Sequence, residues 1–222
     1  KGWHEAELLA QRMAELEIQS FYVSPLGRAK DTASCTLKKM GREAEELAWL
    51  REFHAPIPDF HTGEPRIPWD QLPADWTAEP KYYDNIRWAE TLPMLEGHVI
   101  DEVNRVWNGL DEVLAKHGYV RNGNYYDAVS PNEDTLAFFC HFGVTCVMLS
   151  HLLGISPMIL WHGFCAAPTS VTSLITEERR KGVALFRMNA FGDTAHLFAN
   201  HEEPAFAARF CEIFANQEQR HD

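Results

Sequence analysis

No stretch of the sequence stays apolar for the roughly 20 residues that a membrane-spanning helix needs. The longest candidate, Val144 to Leu153, is broken by Ser150 and His151. Lys1-Gly2-Trp3-His4 runs straight into a helical pattern rather than a secretory leader, so no leader is expected. Basic residues are scarce: 20 Lys and Arg face 32 Asp and Glu, a formal net charge of −12. That balance makes nucleic acid a poor partner and repels phosphorylated ligands at long range. Any phosphate site must therefore be a local cluster of Arg, His and backbone N–H groups. Cysteines number five, an odd count, with no C-x-x-C pair. Free thiols in a reducing cytoplasm are the expected reading, against a disulfide framework. Internal repeats and low-complexity tracts are also missing. What is present, 45% hydrophobic and 23% charged residues over 222 positions, is the composition of a globular chain able to bury a sizeable core.

Leu8, Leu9, Met13 and Leu16 give residues 3–16 a helical spacing. Ser20 to Ser24 is short, aromatic and β-branched, and predicts a buried strand. A helix from Leu26 to Met40 follows, with Gly41 as its stop, and a short strand is expected at Glu46 to Leu50. From 53 to 95, seven prolines punctuate a stretch rich in Trp and Tyr. Such a segment cannot hold long central strands. It reads as a loop-rich, partly helical cap whose aromatics pack against something.

Val99, Val103, Val106, Leu110, Val113 and Leu114 mark an amphipathic helix from His98 to His117. Tyr119 to Asn132 reads as a polar connection. Thr135 to Cys140 is apolar on both faces, as a central parallel strand should be, and Val144 to Leu153 then predicts a helix closed by Gly154. Ser170–Thr176 and Gly182–Asn189 look like paired strands, and a helix is expected from Pro204 to Gln217. Alternating strands and helices imply a sheet covered on both faces. In such sheets ligands collect beyond the carboxyl ends of the strands. Ser24-Pro25-Leu26-Gly27-Arg28 and His141-Phe142-Gly143 put polar groups at that place.

Arg28 sits in the first turn of a helix, where its guanidinium can share an anion with free N–H groups; a solvated surface Arg is the plainer alternative. His141 follows the apolar strand directly, and Gly143 permits close backbone approach to a ligand. A hydrogen-bonded structural His is the competing reading there. His54, His61 and His98 are too loosely spaced to favour a metal site. Trp69, Trp76 and Trp88 are assigned to packing of the cap rather than to a pocket, and His151 to a structural or interfacial role.

Together the two polar segments are more specific than either alone. S-P-L-G-R-A-K-D-T-A at Ser24 to Ala33 resembles the SPLxRAxxTA signature of the histidine phosphatase superfamily, the phosphoglycerate mutase-like proteins. F-F-C-H-F-G-V at Phe138 to Val144 is similar to that superfamily's second motif. The opening K-G-W-H-E-A-E-L-L-A resembles its first helix. The resemblance implies an α/β fold, a three-layer α/β/α sandwich with a mostly parallel sheet, as one domain over 1–222 with a loop and helix insertion at about 53–134. It implies a phosphate held by Arg28, His141 and Phe142, with His141 stabilising the transferring phosphoryl group. Glu52 stands where many members place the proton-donating carboxylate, with Glu64 and Glu90 as competitors. The implied activity is removal of phosphate from a small phosphorylated metabolite, through a phosphohistidine, with no metal and no organic cofactor. A homodimer is the one macromolecular partner allowed for.

One departure is serious. The superfamily's nucleophile lies in an Arg-His-Gly at the end of its first strand, and no Arg-His-Gly occurs here. His162-Gly163 follows Trp161, and His4 falls inside the first-helix motif. We expect a further strand N-terminal to Lys1, ending in Arg-His-Gly and lying in the sheet beside Thr135–Cys140. The alternatives are a mutase-type phosphotransferase and a non-catalytic relative that binds a phospho-ligand or a protein. Leu50-Arg51-Glu52-Phe53-His54 does not reproduce the Asn-Glu-Arg stretch of glycolytic mutases, which favours the phosphatase.

Overall fold

A computed structural model describes residues 1–221. In chain order the elements are α1 (Gly2–Met13), β1 (Ser20–Val23), α2 (Gly27–Met40), β2 (Glu45–Glu46), β3 (Ile57–Pro58), β4 (Pro65–Arg66), α3 (Pro73–Trp76) and α4 (Leu92–Glu96). Then come α5 (Val99–Lys116), β5 (Tyr119–Asn122), β6 (Tyr125–Ala128), β7 (Leu136–Phe139), α6 (Phe142–Leu153), α7 (Pro157–Gly163), β8 (Val171–Arg180), β9 (Val183–Asp193) and α8 (Ala195–Phe198). The fold is the α/β class expected.

Three strands in the order β2-β1-β7 make a parallel sheet. Phe21 pairs with Ala137 and Val23 with Phe139, so alternate residues face opposite sides. On one side Phe21, Val23, Ala137 and Phe139 pack with Leu9 and Met13 of α1 and Ala33 of α2. On the other, Tyr22 stacks on Phe138 at 5.0 Å between ring centres and joins a larger core. The valines of α5 enter that core every three or four residues, with Val144, Val147 and Leu149 of α6. Both faces of the strands are covered, which is why they read as continuous apolar runs. β3 and β4 form a short antiparallel pair of their own, and the four-stranded sheet β5-β6-β9-β8 is antiparallel throughout.

Several expectations are corrected. The strand expected at Glu46–Leu50 shrinks to Glu45–Glu46, and Ala48–Leu50 turns into a 3₁₀ segment that drops Leu50 into the core. Tyr119–Asn132 is no polar connection: β5 and β6 form a hairpin around Gly123 and Asn124, with Gly123 at φ 58°. The helix expected from Pro204 to Gln217 is absent among the described residues beyond a 3₁₀ turn at Phe206–Ala208. Ile213 and Phe214, which would have formed its apolar stripe, are exposed, and a short helix without a packed face does not hold in water.

Among the described residues the parallel sheet and the four-stranded sheet do not meet: β7 bonds only β1, and β8 bonds only β9. Between them lies a cavity of about 1560 Å³. Consecutive residues of both strands line it, from Leu136 to Phe139 and from Val171 to Thr176. A strand that showed a face would contribute alternate residues, so both present their edges. Leu9, Met13 and Leu16 of the first helical segment, with Leu110 and Leu149, add an apolar wall.

Candidate active site

The carboxyl end of β7 and the start of α2, which follows β1, open into this cavity, and the motif residues gather there. Arg28, Glu52, His141 and Phe142 all line it. Arg28 lies in the first turn of α2, exposed, and its charge acts on both His141 and Glu52. His141 is the residue before α6, in extended backbone at φ −135° and ψ 167°, and is 8% exposed. Burial, and secondarily the charge of Arg28, push its imidazole down to about 4. It is therefore neutral at physiological pH and can present one N–H.

Glu52 has the opposite perturbation. Burial raises its carboxyl above the ordinary value, against hydrogen bonds from the backbone of Phe53, Val144 and Gly143 and the charge of Arg28. Oε1 accepts from Phe53 N at 2.9 Å and from Val144 N at 3.2 Å. The start of α6 thus serves the carboxylate as well as any anion. Of the competitors, Glu64 is exposed and Glu90 pairs with Arg87 and Lys81; neither lines the cavity.

The cap closes over this centre. A methyl group on Gly143 would meet Glu52 Oε1 at 2.8 Å and Trp69 Nε1 at 2.9 Å, so only glycine lets α6 approach both. Trp69 and Trp76 line the cavity, whereas Trp88 is buried in the core. Sequence favours packing for both; the structure puts both on the cavity wall. Trp69 Nε1 is enclosed and carries no hydrogen-bond partner among the described residues. His162, on a helix not anticipated from sequence, stacks on Trp76 at 4.9 Å. It accepts from Gln71 N at 3.2 Å and contacts Met158 O at 2.9 Å, which ties the cap to α7. His61 pairs with Asp75 and His98 with Asp101, and no metal-sized group of three His, Cys, Asp or Glu forms among the described residues. His151 bonds Asp111 at 2.8 Å and stacks on Trp107, a structural placement.

A family model for the histidine phosphatase superfamily (branch 1) matches residues 1–189. The chain belongs to this superfamily. No curated protein matches it. Among solved structures, a mycobacterial glucosyl-3-phosphoglycerate phosphatase complexed with VO3 superposes with a TM-score of 0.56 at 17% identity, covering 87% of this chain and 85% of its own. A phosphoserine phosphatase from Entamoeba histolytica, complexed with 3-phosphoglyceric acid, gives 0.56 at 16%, covering 88% and 84%. A protein described as mycobacterial hydrolase 1 gives 0.56 at 16%, covering 86% and 85%. At such identities the likeness speaks for a shared fold, not for a shared substrate. As a histidine phosphatase superfamily member, the chain has its two recognisable motifs at one end of one cavity.

Sequence reasoning passed over Ser24 and Trp69 as site residues. Ser24 lies inside the quoted motif, and a polar residue closing the apolar strand run Phe21-Tyr22-Val23 is the signal the sequence offers. Trp69 had no signal in spacing.

Proposed function

We propose that the whole protein is a phosphatase acting on a small phosphorylated metabolite through a phosphohistidine. The nucleophile is carried on an extended segment N-terminal to Lys1 that pairs with the edges of β7 and β8. The observation that supports this reading is the cavity itself: two open strand edges face each other across it, and it ends at Arg28, His141 and Glu52. Unpaired strand edges and a cavity of this size are costly in a packed protein. One strand of about six residues, roughly 20 Å long, would join the two sheets into one.

In this reading the chemistry has two steps. The imidazole of the inserted segment attacks phosphorus, and the bond to the leaving oxygen breaks. Arg28, His141 and the Phe142 N–H donate to the phosphoryl oxygens, where charge-assisted bonds are strongest. Glu52, whose hold on a proton is strengthened by burial, gives its proton to the leaving oxygen. Its carboxylate then takes a proton from water, which attacks the phosphohistidine and releases inorganic phosphate. A cytoplasmic location belongs to the same proposal, supported by five free cysteines.

The test compares a chain extended upstream with residues 1–222 alone on a generic phosphomonoester. The extended chain should turn over and unfold cooperatively, and residues 1–222 should do neither. Equal turnover and equal cooperativity in the two would reject the inserted strand.

A further inference from the structure

Ser24 follows β1 and continues its pairing, donating its backbone N–H to Phe139 O at 2.9 Å. Its side chain is completely buried. Oγ lies 2.8 Å from His141 Nε2 and accepts from the N–H of Leu26 at 3.2 Å. A serine hydroxyl has one proton to donate, and a buried one needs an acceptor. Leu26 N is a donor and cannot serve. Among the described residues His141 Nε2 is the one partner of Ser24 Oγ that can accept. The hydroxyl proton therefore points at Nε2, and Nε2 must carry a lone pair.

We propose that Ser24 is a positioning residue that locks His141 in the tautomer with its proton on Nδ1. The ring nitrogen left for the cavity is then an N–H donor. The identity of the group it meets, a phosphoryl oxygen, rests on the phosphatase reading; the tautomer does not. Which nitrogen of a histidine holds the proton is set by the bond the other makes. Histidine free in water places its proton mainly on Nε2, so the site works against the intrinsic preference. Without the hydroxyl, the proton returns to Nε2 and a bare Nδ1 lone pair faces the anion. One donor is lost and one repulsive contact is gained.

Nitrogen-15 NMR of the histidine rings in the full-length chain reads this directly. At pH 7.5 the wild-type His141 should show a protonated Nδ1 and a lone pair on Nε2. Ser24→Ala should move the proton to Nε2 and weaken binding of inorganic phosphate by about tenfold or more, as loss of a preorganised donor does. Ser24→Thr, which keeps the hydroxyl, should retain the wild-type pattern. Nε2–H in the wild type would overturn the proposal without any variant, which matters if Ser24→Ala does not fold. An unchanged Nδ1–H in Ser24→Ala would overturn it too. If the tautomer is as stated but the wild type binds no phosphate, the phosphatase reading fails and the role of Ser24 stands.

Discussion

Neutral His141 makes folding sensitive to acid, and the size of the effect follows from its surroundings. The folded imidazole sits at about 4, against 6.5 for the free group, because burial and then Arg28 disfavour its charge. Between these values the unfolded chain binds a proton that the folded chain refuses. The contribution to stability is thus complete above about pH 6.5 and is lost as pH falls through 4. Each tenfold change in proton affinity is worth about 1.4 kcal/mol. From pH 7 to pH 5 the loss comes to roughly 1–2 kcal/mol, with allowance for screening on the side of the ring open to the cavity. His141→Asn removes the titration while keeping a polar group against Ser24. Urea unfolding of the full-length wild type and variant at pH 5, 6 and 7 isolates it, because every other titrating group cancels in the difference. The wild type should lose that amount relative to His141→Asn between pH 7 and 5. Parallel stability profiles would show that His141 is not held neutral by the fold.

Arg28→Ala should cut turnover by about 10²–10³-fold with little change in unfolding, since Arg28 is exposed; near-normal rates would remove it from the phosphate site. For Glu52 the raised carboxyl means that the folded state holds the proton better than the unfolded state. Its stabilising share is present at low pH and is lost as pH rises through the folded value. Glu52→Gln should therefore be more stable than wild type at pH 7 and not at pH 4, while turnover falls about a hundredfold or more; calorimetry and steady-state rates check both. Gly143→Ala should displace Glu52 and Trp69 together, costing about 1–3 kcal/mol in urea unfolding and most of the activity; an unchanged rate would show that their approach to α6 is unimportant.

How legible all this was in the sequence varies by element, for physical reasons. β1 and β7 are readable because both their faces are buried between helices, and α5 because its valines keep helical spacing over its whole length. Gly41 and Gly154 end their helices as expected, at φ 63° and 66°. The β5–β6 hairpin was missed although Gly123-Asn124 is a two-residue turn signal; its polar strand residues masked it. The C-terminal helix was expected from a pattern that finds no surface to pack on. At the site, Arg28, His141 and Glu52 were reachable because they lie in or near contiguous motifs. Trp69 was not, because it reaches the centre from a proline-rich cap whose path no periodicity describes. The placing of β7 and β8 at the edges of separate sheets that face one cavity depends on pairings far apart in the chain, and no local pattern announces them.

In the proposed reaction a histidine N-terminal to Lys1 enters this cavity and takes the phosphoryl group. The most direct test is to mix the full-length protein with a phosphorus-32-labelled phosphomonoester, quench within milliseconds in alkali, and map the labelled peptide. An acid-labile, alkali-stable label should appear on a histidine in the segment before Lys1, formed and lost at rates that support turnover. A label on His141 or another histidine of residues 1–222, or turnover with no phosphohistidine at all, would contradict it.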